Sequence, residues 1–520
     1  MIILIAEYIA SVNTEKTRAS IQDLIGVIPK TAIVIRNNKE IKFELDEIKV
    51  GDIILLKTGE RIPMDGVILK GFATVNQAPI TGENTPIEKK KDDEVFAGTI
   101  IETGAINIKV TKLVKDTIFA RIINLVEGAE QNQAPIEKLT DKVATWLIPL
   151  AFLFVISLYF FTHDIKMIIA ALIFLSPAEL GLATPLVTIS GVARAAKEGI
   201  LIKGGLYLEE LAKVDTFVFD KTGTLTTGNH EVKKVTTINK NYSKKDILQI
   251  AASAERRSSH PLGKAIVSYA EKQKVKMTQP THFVVVNGKG IQATLNGKKV
   301  MIGNKNFFEE NKIYLTVKDN SETIIFIAVS NELIGTITLG DTIRPEAKEA
   351  IAQLKNSGVK HFVMLTGDNE GSARIVAEKA GITEWKANLL PEEKINYIKK
   401  LQKQGRKVAM VGDGINDAPA LAQANIGLAM GAIGTQAAME AADVVLVDDN
   451  LLKIARAKAI TKRSYRTIKE NVFAGVGVVH VVGITLVLMH LIGPIEAAAL
   501  HLVPDVAVLL NSVKLLKVKI

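Results

Sequence analysis

Four mostly apolar runs, residues 144–162, 167–186, 472–491 and 495–516, restrict this 520-residue chain more than any other feature. Each approaches the about 20 residues with which a helix crosses a bilayer, and only a short turn separates the members of each pair, so two helical hairpins are expected in a lipid bilayer. Lys and Arg gather on the outer flanks, at Lys197, Lys203, Lys462, Arg463, Arg466, Lys469, Lys514, Lys517 and Lys519, whereas the two turns carry only Lys166. That asymmetry puts the flanks, and the polar blocks they border, in the cytoplasm of a multi-pass protein of the cell membrane. Residues 1–10 are also apolar, without a basic leader or a cleavage site, and read as the end of a further membrane helix whose beginning is missing.

Composition narrows the chemistry. Basic residues number 65 and acidic residues 55, a net charge of +10, but they are intermixed and form no basic stripe, which argues against nucleic acid as a partner. There is no cysteine, so disulfides, thiolate catalysis and thiolate metal ligands are all excluded. Residues 12–142 alternate β-branched residues with turn signals and read as a mostly β domain. From residue 207 to about 456, short apolar strands alternate with helical stretches, the pattern of a parallel α/β sheet, interrupted by a domain-sized insert at residues 228–336.

Three acidic motifs follow strand-like runs in that α/β block. Phe217-Val-Phe219 leads into Asp220-Lys-Thr-Gly-Thr224, residues 362–365 into Thr366-Gly-Asp368, and residues 408–411 into Gly412-Asp-Gly-Ile-Asn-Asp417. Parallel sheets place their ligands at the carboxyl ends of strands, so the three loops are expected to meet in one crevice. Asp220 is then positioned as a nucleophile toward a phosphoryl group, with Thr222 and Gly223 offering hydroxyl and backbone groups to the transferred phosphate. Asp413 is the expected Mg2+ ligand beside Asp220, because carboxylates and phosphate cannot gather without a cation. Asn416 and Asp417 are placed to orient that site, and Lys394, on a helix opened by Pro391, to aim a fixed charge at phosphoryl oxygens.

In this order, the motifs resemble those of the P-type ATPases, over nearly the whole chain. The resemblance implies a multidomain membrane protein: transmembrane helices, a mostly β actuator domain, and an α/β haloacid-dehalogenase-like phosphorylation domain with an inserted α+β nucleotide-binding domain. Its divisions are expected at 1–11 (end of a membrane helix), 12–142 (actuator), 143–206 (membrane hairpin), 207–227 and 337–456 (phosphorylation), 228–336 (nucleotide binding) and 457–520 (C-terminal membrane hairpin). Thr81-Gly-Glu-Asn84 looks like the family's actuator loop, with Asn84 in place of the usual serine, which implies that Glu83 positions the water that hydrolyses an aspartyl phosphate. Ser259-His-Pro-Leu262 is similar to the His-Pro element of the heavy-metal branch, and Gly288-Lys-Gly290 and Gly303-Asn304 to its nucleotide loops. The resemblance therefore implies ATP and Mg2+ as cofactors. It gives catalytic roles to Asp220, Glu83, Lys394, Thr366 and Asp417, contacts to ATP to Lys221, Thr222, Gly223, Glu255, His260, Gly288, Gly290, Gly303, Gly367, Asp368 and Asn416, and Mg2+ to Asp220, Thr222 and Asp413.

The ion path is expected within the spans. Ser176-Pro-Ala-Glu179 lies inside the second run, where a carboxylate is costly enough to mark an ion or proton path and Pro177 breaks the helix. The heavy-metal branch usually has cysteine here. Glu179 and Ser176 are thus candidate ligands of a transported cation, joined by His501 and Asp505 in the last run, while His480 reads first as a histidine bonded to a nearby carbonyl. This oxygen and imidazole set suits zinc, cobalt, iron(II), manganese or nickel better than copper(I), with protons also open. Two other readings remain: a membrane-anchored phosphatase on the same sheet, and an inactive fragment that needs helices preceding the stub.

Overall fold

The computed structural model describes residues 29, 31–36, 39–78, 86–117, 120, 134–175, 183–258, 260–286, 288–313, 323–413, 417–431 and 436–516. The candidates Glu83, Ser176, Glu179 and Asn416, with the 1–11 stub and Ser259, lie outside them.

Three sheets organise the polar parts. The first, within residues 31–110, is antiparallel and built on the pairing of Gly66–Asn76 with Ile100–Val110. Alternation along its strands buries Val34, Ile54, Ile68, Val75, Ile106 and Ile108 in one core. The second belongs to the insert: six antiparallel strands, with the helices Lys244–Glu255 and Pro261–Lys272 packed on them. The strand that enters it, Thr226–Thr237, pairs with the one that leaves it, Glu332–Ile343, so the insert is carried on two adjoining strands. The sequence-based limits, 228 and 336, fall inside that pair.

The third sheet positions the chemistry. Its order is Glu384–Lys386, His361–Leu365, Thr216–Asp220, Val408–Gly412, Ile426–Ala429, Val444–Leu446 and Ile200–Ile202, parallel except for the last. Strands such as Phe217-Val-Phe219 are apolar at every position because helices cover both faces, and Phe217, Phe219, Met364, Leu365, Met410 and Val411 are fully buried. The Asp220 strand lies between the two strands that carry the other acidic loops.

Among the described residues, three helices are long and apolar enough to cross a membrane: Pro135–Thr162, Leu452–Leu488 and Pro494–Lys514. Their large apolar side chains face outward, Phe161 being 86% exposed and Trp146 66%, as a lipid-facing surface requires. Of the second apolar run, the helices Ile165–Phe174 and Pro185–Ala196 are described. Inside the bundle, the buried Asn471 amide donates to Ser512 Oγ at 3.0 Å and accepts at Oδ1 from Asn511 Nδ2 at 2.9 Å, tying two helices with polar groups.

The membrane helices continue into the third sheet's core. Ile454, Ala457 and Ile460 pack in the same cluster as Phe217 and Val218, so the helix that enters the bilayer begins as a layer of the third sheet. Lys458, 3% exposed, fastens this junction by donating to the carbonyls of Leu211 (2.9 Å), Ala212 (2.9 Å) and Val214 (2.7 Å), where the helix Gly205–Lys213 ends. The last carbonyls of a helix run short of backbone partners, and a cation at a helix C-terminus is favoured by the dipole. Burial, with Lys462 nearby, holds the Lys458 ammonium down at about 8. At the other side of the same helix, Glu209 accepts the Ile136 N–H at 2.9 Å and caps the first membrane helix.

Candidate active site

Asp220 is the last residue of its strand, and its Oδ2 accepts the Thr222 N–H at 2.9 Å, closing the turn that Gly223 completes with φ +75°. Its other oxygen, Oδ1, receives Lys394 Nζ at 2.6 Å. The same ammonium donates to Asp417 Oδ1 at 2.9 Å. Lys394 comes from the helix Pro391–Lys403 and Asp417 from the cap of Ala418–Gln423, so the structure brings together three residues that the sequence separates widely. Gly412 makes the approach possible: a Cβ there would meet the Asp417 carboxylate at 2.8 Å.

The electrostatics follow from crowding. Burial, then the charge of Asp417, pushes the Asp220 carboxyl up to about 7 despite the pull of Lys394. Burial also raises Asp417. Burial opposes the charge on Lys394, yet Asp220 and Asp417 outweigh it and hold the ammonium above its ordinary value. Asp413 faces the turn as well, its Oδ2 3.6 Å from where a Cβ on Gly223 would stand. Two carboxylates therefore share one ammonium, with Asp413 beside the same turn. A hard cation that needs one or two carboxylates plus phosphate and water oxygens fits that excess. Among the described residues no three Asp, Glu or His side chains form a complete metal cage, as Mg2+ sites completed by substrate do not require one.

The second acidic loop buttresses the first. Thr366 is buried, its Oγ accepting the Asp368 N–H at 3.1 Å, and Gly367 runs close to the Leu389 carbonyl. Asp368 pairs with the buried Lys221, which also reaches Ser372 Oγ at 3.4 Å. Sequence reasoning missed Arg344. Its guanidinium donates to the carbonyls of Thr224 (2.9 Å) and Gly223 (3.0 Å) and so props the Asp220 turn. Its place just where the chain returns from the insert was the available signal.

In the insert, Glu255, His260, Gly288, Gly290 and Gly303 line one cavity of 280 Å3 with Gly263, Ile302 and Asn304. His260 caps its helix, Nδ1 accepting the Leu262 N–H at 3.3 Å, which leaves the ring proton on Nε2 facing outward. Glu255 is buried, its Oε2 without a hydrogen-bond partner, and burial raises its carboxyl. Gly290 (φ +156°) stands opposite Gly303, and neither position has room for a side chain: a Cβ would lie 2.1 Å from the Ile302 carbonyl in the first and 2.4 Å from the Lys289 carbonyl in the second. A buried acceptor facing a narrow, glycine-walled and partly apolar slot fits a purine with its amino edge inward. A second cavity, of 410 Å3, lined by Lys221, Lys233, Asp341, Asp368, Ser372 and Lys379, shares Thr323 with the first and leads toward the Asp220 turn. Lys233 and Lys379 carried no motif and were not foreseen. Gly303→Val should raise the dissociation constant for ATP at least tenfold by nucleotide titration, while hydrolysis of p-nitrophenyl phosphate, which needs no base contact, is kept.

His501 and Asp505 lie one turn apart on the apolar helix Pro494–Lys514. The His501 and His480 rings are 5.6 Å apart. His480 Nδ1 lies 2.8 Å from the Val476 carbonyl, the local bond its sequence position suggested.

Comparison with known proteins agrees with this geometry. The P-type ATPase actuator domain family matches residues 26–127, and the haloacid dehalogenase-like hydrolase family matches residues 214–425. A probable cadmium-transporting ATPase of Staphylococcus aureus (strain MRSA252) is 36% identical over 99% of this chain and 74% of its own length. A copper-exporting P-type ATPase of Staphylococcus saprophyticus is 38% identical, over 100% of this chain and 66% of its own. The crystal structure of a zinc-transporting PIB-type ATPase in the E2.Pi state superposes with a TM-score of 0.65 at 32% identity, covering 96% of this chain and 83% of that one. The actuator and haloacid-dehalogenase-like domains are cytoplasmic parts of a membrane ATPase. The chain belongs to the heavy-metal branch of the P-type ATPases.

Proposed function

We propose that this chain couples ATP hydrolysis to the movement of a divalent metal cation through a phosphoryl ester on Asp220. The observation that carries the reading is the Lys394 ammonium bound to both Asp220 and Asp417 at the carboxyl ends of adjacent parallel strands. Held at Oδ1 by Lys394 and at Oδ2 by the Thr222 N–H, Asp220 is oriented with its carboxylate fixed. One of its oxygens forms a bond to the γ-phosphorus as the bond to the β–γ bridging oxygen breaks, and ADP departs. Lys394 stays within reach of the phosphoryl oxygens, and Lys221, pinned by Asp368, supports the turn whose N–H and hydroxyl groups face them. Mg2+, when bound through Asp220, Asp413 and Thr222, supplies charge neutralisation on the phosphate and lets Asp220 ionise at neutral pH.

The base is read in the cavity of Glu255, His260 and the facing glycines, with its phosphates toward Lys221, Lys233 and Lys379. On this reading residues 12–142 act as the actuator and Glu83 positions the hydrolytic water; residues 228–336 bind nucleotide, and residues 207–227 with 337–456 carry the phosphoryl site. Asn416 and Asp417 orient that site. Glu179, Ser176, His501 and Asp505 are read as ligands of the transported ion. Relatives named for cadmium, zinc and copper support metal transport, and a chain without cysteine favours zinc, cobalt, iron(II), manganese or nickel over copper(I).

The test is ATP turnover in detergent and in membranes across mono- and divalent cations, with acid-quenched phosphoenzyme measured alongside. Divalent cations should stimulate turnover severalfold, and Glu179→Ala should lose that stimulation while keeping hydrolysis of p-nitrophenyl phosphate. Equal turnover with and without every cation would overturn the transport assignment.

A further inference from the structure

The strand Thr226–Thr237, which leads from the Asp220 turn into the insert, loses register between Thr226 and His230. Gly228, at φ +70°, lies in that irregularity, which sets His230 directly opposite Asp341 of the returning strand. Bulges of this kind re-aim side chains and are common beside active sites. A Cβ on Gly228 would stand 3.8 Å from Gly223 Cα, so the bulge rests against the Asp220 turn. His230 and Asp341 both line the 410 Å3 cavity, together with Lys221, Lys233 and Lys379. There His230 Nδ1 and Asp341 Oδ1 are each buried with no hydrogen-bond partner among the described residues. The second carboxylate oxygen of Asp341 is engaged: it accepts from the Thr226 hydroxyl, which also lies 2.9 Å from the Lys221 carbonyl.

We infer that His230 and Asp341 form a second divalent-cation site, completed by phosphate oxygens of the bound nucleotide and suited to a transition-metal ion. The inference rests on the nucleotide reading of this cavity given above. Buried polar atoms are nearly always paired, so two unpaired ones on facing residues of one cavity point to a ligand that satisfies both. A cation does so, because a neutral imidazole nitrogen and a carboxylate oxygen each offer it a lone pair. The spacing fits. Directly opposite residues on antiparallel strands carry Cβ atoms about 4.5–5.5 Å apart, and an octahedral ion with bonds of about 2.1 Å holds adjacent donor atoms about 3 Å apart, within reach of two such side chains. Thr226 steadies the carboxylate as hydrogen bonds from neighbouring groups steady metal ligands in general. Two protein ligands make no cage, and among the described residues no three His, Asp or Glu side chains do. A cation that arrives with a nucleotide needs none, since one or two protein ligands plus phosphate and water oxygens hold it. Lys221, Lys233 and Lys379 balance the charge that remains on the polyphosphate. Unlike the oxygen set of Asp220, Asp413 and Thr222, this site contains a nitrogen, which favours cobalt, nickel or zinc over magnesium.

The experiment uses the full chain in detergent, labelled with 15N-histidine, and the non-hydrolysable analogue AMPPCP. With Mn2+ as a paramagnetic probe, pulsed electron paramagnetic resonance should show 31P and 15N couplings on one ion, the 15N label separating imidazole from adenine nitrogen. His230→Gln should lose the 15N coupling and keep the 31P coupling of the ion at Asp220. In the same variant the dissociation constant of AMPPCP should rise at least fivefold with Co2+ and less than twofold with Mg2+, the second value also showing that the variant is folded. Should His230→Gln not fold, His230→Asn takes its place. A parent with 31P but no 15N coupling, as direct contact between imidazole and phosphate would give, refutes the inference. So does a 15N coupling that survives in the variant, or an equal loss of affinity with both cations. If AMPPCP does not bind the parent with any cation, the nucleotide reading fails and takes the inference with it, a result distinct from the others.

Discussion

Asp220→Asn is expected to abolish the acid-stable, hydroxylamine-sensitive phosphoenzyme and to reduce cation-stimulated ATP hydrolysis by about 10³-fold or more, because a carboxamide has no oxygen able to form the ester. The side chain keeps its size and its place beside Lys394 and Thr222, so loss of fold does not explain the effect. A phosphoenzyme at parental level in this variant would disprove the assignment. The same substitution has a second consequence, in stability. In the folded chain burial lifts the Asp220 carboxyl from 3.8 to about 7, so the folded state holds a proton that the unfolded state releases in that interval. A group raised in this way contributes stability below its unfolded value and loses it as pH rises through the folded one. Without Mg2+, the parent should therefore melt at progressively lower temperature as pH rises from about 4 to about 7, and Asp220→Asn should lack most of that slope. Mg2+ should flatten it too, by stabilising the ionised carboxylate.

Lys394→Met has the next largest expected effect. It leaves Asp220 and Asp417 without the cation that both contact at under 3 Å and, on the proposed function, removes the fixed charge aimed at the phosphoryl oxygens. Loss of such a preorganised charge costs on the order of 10²–10³ in turnover. The remaining carboxylates repel, so the Asp220 carboxyl should rise further and the acid limb of the turnover profile should move to higher pH. A merely structural lysine would lower activity without moving that limb. Lys394→Arg should not restore the parent, because a planar guanidinium cannot occupy one point between two carboxylates as an ammonium does. The pH profile of phosphoenzyme formation, measured at fixed Mg2+, decides the matter.

The three acidic loops could be read in advance because each motif abuts a run such as Phe217-Val-Phe219 that is apolar at every position, a pattern specific to strands covered on both faces. Lys394 could be anticipated from the helix start at Pro391, and the glycines of the insert's cavity from the family resemblance. What escaped reading depends on contacts between distant segments. Arg344 acts through the backbone of Thr224 and Gly223, 120 residues or more away, and carbonyls carry no sequence signal. Lys233 and Lys379 look like ordinary surface lysines until the sheet and the insert bring them to one cavity. The partner of His480 on another helix was equally hidden, since periodicity tells which face a residue occupies and not what that face meets.

Because one helix, with a π-helical stretch at Glu470–Val478, runs from the third sheet to the bilayer, Lys458 and His480 are two points on a single lever arm. They are 22 residues apart, roughly 30 Å along the axis. With the near end clamped by three carbonyls, a tilt of only about 5° at the sheet would carry the far end sideways by about 3 Å, more than the length of a metal–nitrogen bond. A small angular adjustment where the helix leaves the sheet is thus a large displacement at the depth of His480.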